Sequence, residues 1–314
     1  MAASTSPANA VAFATLVVLV ATNLVAIRFT DRELAPFWNA GARFALAAGI
    51  FAAIIAVRRP SPPHGRAIVG SVVYGLLAFA AFFALVYVGL VHATAALGQT
   101  VLALGPLITL LLAASVGLER VRGRSIAGAL LALIGIAVVF GAQQHLEVPV
   151  TSVLALVGAA TSFAAAGILS KRLPPIDPLW QNAVGTAVGS AVLLLVSLSA
   201  GEAWVLPRDP ATWLWFAYLV IPGTVLVFLL LLHLLHRLPA TVVSYQFVLA
   251  PIVSITLGAI VLGEPAGPGT LLGVGIVVAG VYLGALVSDR DDGRQPQSRA
   301  GPPSEGRDDQ EGLF

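Results

Sequence analysis

Long apolar runs, almost free of charge, alternate with short polar segments along nearly the whole chain. They fall at about 10–28, 37–57, 67–91, 93–118 and 125–141, and again at about 150–170, 178–200, 211–234, 240–263 and 269–288. A helix needs about 20 mostly apolar residues to cross a bilayer, so the pattern predicts ten transmembrane helices. The third and fourth runs are nearly continuous. They are divided at Gly89-Leu90-Val91-His92, because one unbroken helix over both would be far too long for a single crossing. The first run lacks a basic leader segment and continues to Arg28, which reads as a retained helix rather than a cleaved signal. Residues 289–314 are polar and rich in Gly, Pro, Arg and Asp, a composition that predicts a disordered tail.

Composition sharpens this picture. Of 314 residues, 58% are apolar and 10% charged, with mean hydropathy +0.93; soluble domains carry about 25% charge. A sizeable soluble domain is excluded, and the chain reads as an all-α integral membrane protein with the lipid bilayer as its surroundings. Basic residues fall unevenly. With the N-terminus inside, Arg58, Arg59, Arg66, Arg120, Arg122, Arg124, Lys171, Arg172, Arg237 and four tail arginines are cytoplasmic, against Arg28, Arg32 and Arg208 outside. That bias places both termini in the cytoplasm. The arginines are scattered among short loops, so a nucleic-acid partner is not expected. The absence of cysteine excludes disulfides, thiol catalysis and thiolate metal sites. Arginine far outnumbers lysine, which suggests a GC-rich bacterial genome and hence the inner (plasma) membrane.

The chain also repeats itself. At an offset of 145 residues, Ala95 meets Ala240, Pro106 meets Pro251, Glu119 meets Glu264, Gly128 meets Gly273 and Gly135 meets Gly280. Earlier in each half the offset is 142, where Pro36-Phe37-Trp38-Asn39 meets Pro178-Leu179-Trp180-Gln181. Each unit holds five spans, an odd number, so the second enters the membrane from the opposite side. The expected fold is therefore ten transmembrane helices in two inverted five-helix repeats, residues 10–141 and 150–288, followed by a cytoplasmic tail. Inverted repeats of this kind place solute sites near the midplane. Pro106 and Pro251 fall near the middle of matching helices, where a proline removes a backbone hydrogen bond and kinks the helix.

These residues resemble a known family. Thr22-Asn23-Leu24-Val25-Ala26-Ile27-Arg28 resembles the first-helix signature of EamA-type members of the drug/metabolite transporter superfamily, and Pro36 followed by Arg43 resembles its second helix. Ala95-Ala96, Pro106, Glu119-Arg120, Gly128 and Gly135 resemble the pattern of helices 3–5, repeated by Pro251, Glu264, Gly273 and Gly280. The resemblance spans residues 10 to 288 and implies a basket-like ten-helix solute transporter with a central cavity, often an exporter of small metabolites. Two positions depart from the pattern. Ala21-Thr22 stands where the family has Trp-Gly, and Pro265 follows Glu264 where a basic residue is usual.

Candidate chemistry is sparse. Arg43 is the one formal charge well inside a run. It would either attract an anionic group of the solute or snorkel to bond helix-end carbonyls. Glu119 and Glu264 follow helices 4 and 9, where they are expected to brace the starts of helices 5 and 10 through backbone amides. No Asp or Glu lies mid-run, and His233 and His236 have no third ligand beside them, so neither a metal site nor a cofactor is expected. Uncharged polar side chains remain as substrate-binding candidates: Asn23, Gln99 with Thr100, Thr161, Ser162, Tyr218, Thr224, Tyr245 and Gln246. Each Ser or Thr among them could equally serve as an interhelical hydrogen bond. Gly269-x3-Gly273 and Gly280-x3-Gly284 on helix 10 form a small-residue face, suited to a homodimer or to packing within one bundle.

The sequence thus points to a transporter, expected to export small metabolites such as amino acids or amphiphilic compounds by alternating access. The alternative is an intramembrane lipid- or isoprenoid-modifying enzyme, which would need acidic metal sites, histidine clusters or an activated nucleophile that the runs do not supply. No Gly-x4-Gly-Lys-Ser/Thr segment for nucleotide binding is present.

Overall fold

The computed structural model describes residues 7–117, 123–143, 147–172, 174, 176–237, 243, 246–265 and 267–286, with ten helical spans and no strand among them. Glu119, Tyr245 and the tail 289–314 lie outside the described residues. The helices are α1 (Pro7–Thr30), α2 (Pro36–Arg58), α3 (Arg66–Leu90), α4 (Ala95–Ser115), α5 (Gly123–Ala142), α6 (Val150–Arg172) and α7 (Pro178–Ser199). α8 joins Pro210–Val220, Ile221–Leu226 and Val227–Arg237; α9 joins Gln246–Leu257 and Gly258–Leu262; α10 joins Pro268–Val281 and Tyr282–Leu286. Eight are long and apolar enough to cross a membrane, and the apolar stretches of α9 and α10 are shorter. Proline opens α2, α7, α8 and α10, at positions where its missing N–H has no helical partner to lose.

Several helices are interrupted. α3 widens into a π-helical turn at Leu76–Ala81, and α8 does the same at Ile221–Leu226. α4 breaks at Ala103–Leu104, and Pro106 stands in the first turn of its second half. Pro251, expected to interrupt its helix in the same way, lies inside a continuous segment of α9. Its position in the helix is as the sequence requires, but the break is confined to α4 among the described residues.

Helix pairing determines where polar groups meet. α2 packs on α7 and α5 on α10, while α1 lies against α8 and α9, and α6 against α3 and α4. Aromatic side chains from α2 and α3 fill the largest core, with Phe44, Phe51, Phe79 and Tyr87 fully buried. α5 and α10 approach so closely that backbone meets backbone. A Cβ on Gly135 would lie 2.6 Å from the Val277 amide and 2.7 Å from the Gly273 carbonyl. Gly280 faces Gly128 and Ala132, Gly269 faces Ala142, and Gly284 faces Leu107 and Gly128. The small-residue face of α10 is therefore in contact with α5 of the same chain. The opposite side of α5 presents Ile126, Leu130, Leu133 and Ile134 outward, as a lipid-facing surface requires.

This crossing is sensitive to one methyl group. Gly135→Ala must push two backbones apart and is expected to cost about 1–3 kcal/mol. Gly275→Ala on the same helix pair meets nothing within 4 Å and should be neutral or stabilising through helix propensity. Thermal unfolding of the two detergent-solubilised variants checks the contrast.

Candidate functional site

The site begins with a charge that the apolar core must solvate. Arg43, on α2, is fully buried, and among the described residues no carboxylate lies within ion-pair distance of it. Its solvation comes from α8 instead. Arg43 Nε donates to Thr224 Oγ1 at 2.8 Å and Nη2 donates to the Gly223 carbonyl at 3.1 Å. The widened turn at Ile221–Leu226 makes this carbonyl available, as π turns within α-helices commonly do at functional sites. Asn23, on α1, donates to the same carbonyl at 2.9 Å. A Cβ on Gly223 would collide with Asn23 Oδ1, so any larger residue there would displace Asn23 from this carbonyl. Thr224 Oγ1 donates onward to Leu219 O at 2.8 Å. The guanidinium also lies over the Phe44 and Phe83 rings, 5.0 Å from each centroid, a favourable arrangement for a desolvated cation.

Hydrogen bonding here is incomplete. Arg43 Nη1, the adjacent Tyr87 hydroxyl and Asn23 Oδ1 are buried without a well-formed hydrogen bond. Asn39 Oδ1, one helical turn before Arg43, and Asp31 Oδ2, in the turn between α1 and α2, are in the same condition. These five atoms run from one end of the bundle to the buried guanidinium. Leaving a buried polar atom unpaired costs about 1–3 kcal/mol, so the atoms of this file are open to contact with water or a ligand.

At its Asp31 end the file meets a pocket of about 290 Å³ lined by Arg28, Asp31, Arg32, Pro36, Val91, Leu262 and Glu264. Arg28 donates to the carbonyls of Leu90 (2.8 Å) and Val91 (3.1 Å) and pairs with Glu264 at 3.4 Å. Both Glu264 oxygens accept from the Ala95 amide, at 3.1 and 3.0 Å. Gly263, at φ 69°, turns the chain after α9 so that Glu264 can reach this position. Burial pushes the Glu264 carboxyl above the usual carboxylate range, opposed by the Ala95 amide and Arg28. The sequence places this glutamate against the start of α10; the structure corrects that, since it caps α4 instead. Aspartates cap α7 (Asp177 to the Leu179 amide) and α8 (Asp209 to the Ala211 amide) at 2.8 and 2.9 Å.

The sequence candidates thus separate. Asn23, Arg43 and Thr224 meet in one cluster, with Tyr218 near it, its hydroxyl donating to Leu19 O at 2.9 Å. Ser162 donates across to Leu77 O in the α3 π turn at 2.8 Å. Thr161 and Thr100 bond back to their own helices. Gln99 is buried with an unpaired Oε1, and Gln246 is buried on α9. Tyr87, Asn39 and Asp31 escape sequence reasoning. Tyr87 looks like one more aromatic in an apolar run, and Asp31 like an ordinary loop acid.

Comparison with known proteins agrees with this architecture. The model of the EamA-like transporter family matches residues 8–141 and again residues 150–285. A Salmonella typhimurium protein named "Probable amino-acid metabolite efflux pump" is 30% identical over 281 residues, covering 85% of this chain and 91% of that protein. An Escherichia coli K12 protein named "Uncharacterized inner membrane transporter YedA" is 25% identical over 262 residues, covering 83% and 85% respectively. A solved crystal structure, 20% identical, superposes with a TM-score of 0.65 over 91% of this chain and 99% of that one, and at that identity it carries the fold alone.

Glu264 supplies a direct test of how this end is held. Glu264→Ala removes the cap of α4 and the partner of Arg28, with an expected loss of about 1–2 kcal/mol. Glu264→Gln keeps an acceptor for the Ala95 amide and should lose less, in thermal unfolding of the two proteins side by side.

Proposed function

The chain belongs to the EamA-like transporter family, and from that premise we propose that it exports small metabolites bearing a carboxylate, amino acids and amphiphilic derivatives among them, by alternating access. It is a multi-pass membrane protein whose relatives are named as transporters, which points away from the intramembrane lipid-modifying enzyme. The observation that carries the reading is the buried guanidinium of Arg43, with Nη1, the Tyr87 hydroxyl beside it and Asn23 Oδ1 all lacking a well-formed hydrogen bond. A carboxylate placed there would accept from Arg43 and Tyr87, an arrangement suited to bidentate recognition.

Alternating access requires two units that can rock against each other, and several exchanged contacts support a pair of inverted five-helix units, residues 10–141 and 150–288. Trp38 Nε1 donates to Val205 O at 2.8 Å, and Trp180 Nε1 donates to Pro60 O at 3.3 Å. These bonds are related by the offsets of 142 and 145 residues found in the sequence. The π turns of α3 and α8 are 145 residues apart, and the Gly128–Gly280 contact maps onto Gly273–Gly135. α1 packs on helices of the second unit just as α6 packs on helices of the first. The arginine bias adds an orientation with both termini cytoplasmic in a bacterial inner membrane, which puts Asp31 and Glu264 at the outer end. With the glycine face of α10 occupied by α5, a homodimer through α10 would use its other side.

Arg43 decides the reading. In proteoliposomes, Arg43→Gln should weaken counterflow of carboxylate-bearing solutes about 10- to 100-fold, the equivalent of one charge-assisted hydrogen bond. Arg43→Lys and Tyr87→Phe should weaken it less. If wild type and Arg43→Gln exchange the same amino acids at the same rates, Arg43 serves packing only and the carboxylate anchor is lost.

A further inference from the structure

Asp31 is the one group of the polar file that lies in a turn rather than in a spanning helix. It follows α1, where its own amide bonds Ile27 O at 2.9 Å. A carboxylate at the C-terminal end of a helix faces the negative end of the helix dipole. Its Oδ1 accepts from Asn39 Nδ2 at 2.9 Å, and Asn39 also donates to Thr30 Oγ1 at 2.7 Å. Its Oδ2 is buried and unpaired, although the side chain lines the outer pocket. Arg28, the nearest base, is engaged with Glu264 and with the Leu90 and Val91 carbonyls. No backbone amide caps Asp31 among the hydrogen bonds of the described residues, in contrast to Glu264 and Asp209.

We propose that Asp31 is a proton-operated latch at this end of the bundle. Carrying a proton, its neutral carboxyl can stay buried, and the 31–35 turn remains closed over it. Losing that proton to water in the pocket leaves a carboxylate that the closed packing cannot solvate, and the end opens. The inference goes beyond the transporter reading and leans on it only in calling the opening a gate.

The charges and titratable groups around Asp31 act in both directions. They are Arg28 on α1, Arg32 and Glu33 in the same turn, Arg43 on α2, Tyr87 on α3, Glu202 between α7 and α8, and Glu264 before α10. His92 lines the adjoining pocket, which shares Pro36 and Val91 with the first. Burial pushes the Asp31 carboxyl up to about 8; the Asn39 hydrogen bond and Arg28 oppose the shift, and Glu202 adds to it. A carboxyl raised on folding favours the folded state while protonated. Its stabilising contribution is therefore complete below the ordinary carboxylate range and is lost as pH rises through about 8.

The cysteine-free chain permits a test that needs no solute. Ala26 is fully buried on α1, and its carbonyl accepts from Thr30 Oγ1 one turn on. Ala26→Cys, in the full chain reconstituted in nanodiscs, is labelled with a maleimide across neutral to alkaline pH. The exposed Ser61→Cys at the opposite end corrects for thiol ionisation. The expected result is a labelling ratio that rises steeply with a midpoint near 8 and stays low throughout in the Asp31→Asn background. Asn39→Ala removes a bond that favours the carboxylate, so it should move the midpoint to higher pH; a merely structural loss would raise labelling at every pH. Asp31→Asn should also reduce the fall in melting temperature from acid to alkaline pH, the raised Glu264 carboxyl supplying the remainder. A ratio that is flat with pH, or that rises in Asp31→Asn as in wild type, overturns the latch. Neither result touches the solute-exchange test of Arg43.

Discussion

A guanidinium inside an apolar bundle must be solvated by the protein, and here no carboxylate within ion-pair distance shares the task among the described residues. A charge in that setting is expensive unless hydrogen-bond acceptors and ring faces surround it. The demand shapes its neighbours. α8 opens a π turn so that the Gly223 carbonyl can accept from outside its own helix. Gly223 stays without a side chain so that Asn23 can share the same oxygen. Phe44 and Phe83 supply faces rather than edges to the cation. Even so, Nη1 lacks a well-formed hydrogen bond, and in the proposed reading that donor serves a ligand.

The corresponding position in the other half offers a useful contrast. By the sequence offsets, Arg43 corresponds to Gly185 and Thr224 to Phe79. Gly185 and Phe79 do meet, the ring edge occupying the space beside the glycine. One half therefore combines a long cation with a small hydroxyl, and the other combines no side chain with a large ring. Each pair fills the crossing of its helices, α2 with α8 and α7 with α3, and of the two only the first carries a charge. In the proposed alternating-access reading, this asymmetry provides a single anionic site per chain on a scaffold that is otherwise duplicated.

Sequence reasoning reached Arg43 because a lone charge in an apolar run stands out whatever the fold. It reached the glycines of α5 and α10 because they recur at a fixed offset, and their close approach needs only that helices pair face to face. It placed Glu264 correctly as a helix cap but on the wrong helix, since its partner Ala95 is 169 residues away and local spacing favours the nearest amides. Tyr87 was hidden because a tyrosine among Phe, Val and Leu resembles core, and only the meeting of α2 with α3 gives its hydroxyl a charged neighbour. The π turns were equally hidden. Pro222 marks one of them, but Leu77 marks its counterpart with nothing.

The acids at the Asp31 end of the bundle can be sorted by what they bind, and the sorting isolates Asp31. α2, α4 and α8 all begin at this end, presenting positive helix termini and free amides. Glu202 accepts from the Phe37 and Trp38 amides at 3.2 and 2.8 Å, Glu264 from Ala95, and Glu33 from Arg208 at 2.9 Å, just ahead of Asp209. Each of these carboxylates is stabilised as an anion by the helix start it covers. Among these acids Asp31 alone accepts from no backbone amide in the hydrogen bonds of the described residues, and it directly follows α1, where the exposed groups are carbonyls and the dipole is reversed. Carbonyls accept and cannot stabilise a carboxylate, whereas a protonated carboxyl has a hydrogen to donate. The amides that its neighbours cover are missing at Asp31, which in the proposed latch holds a proton for as long as its end of the bundle stays closed.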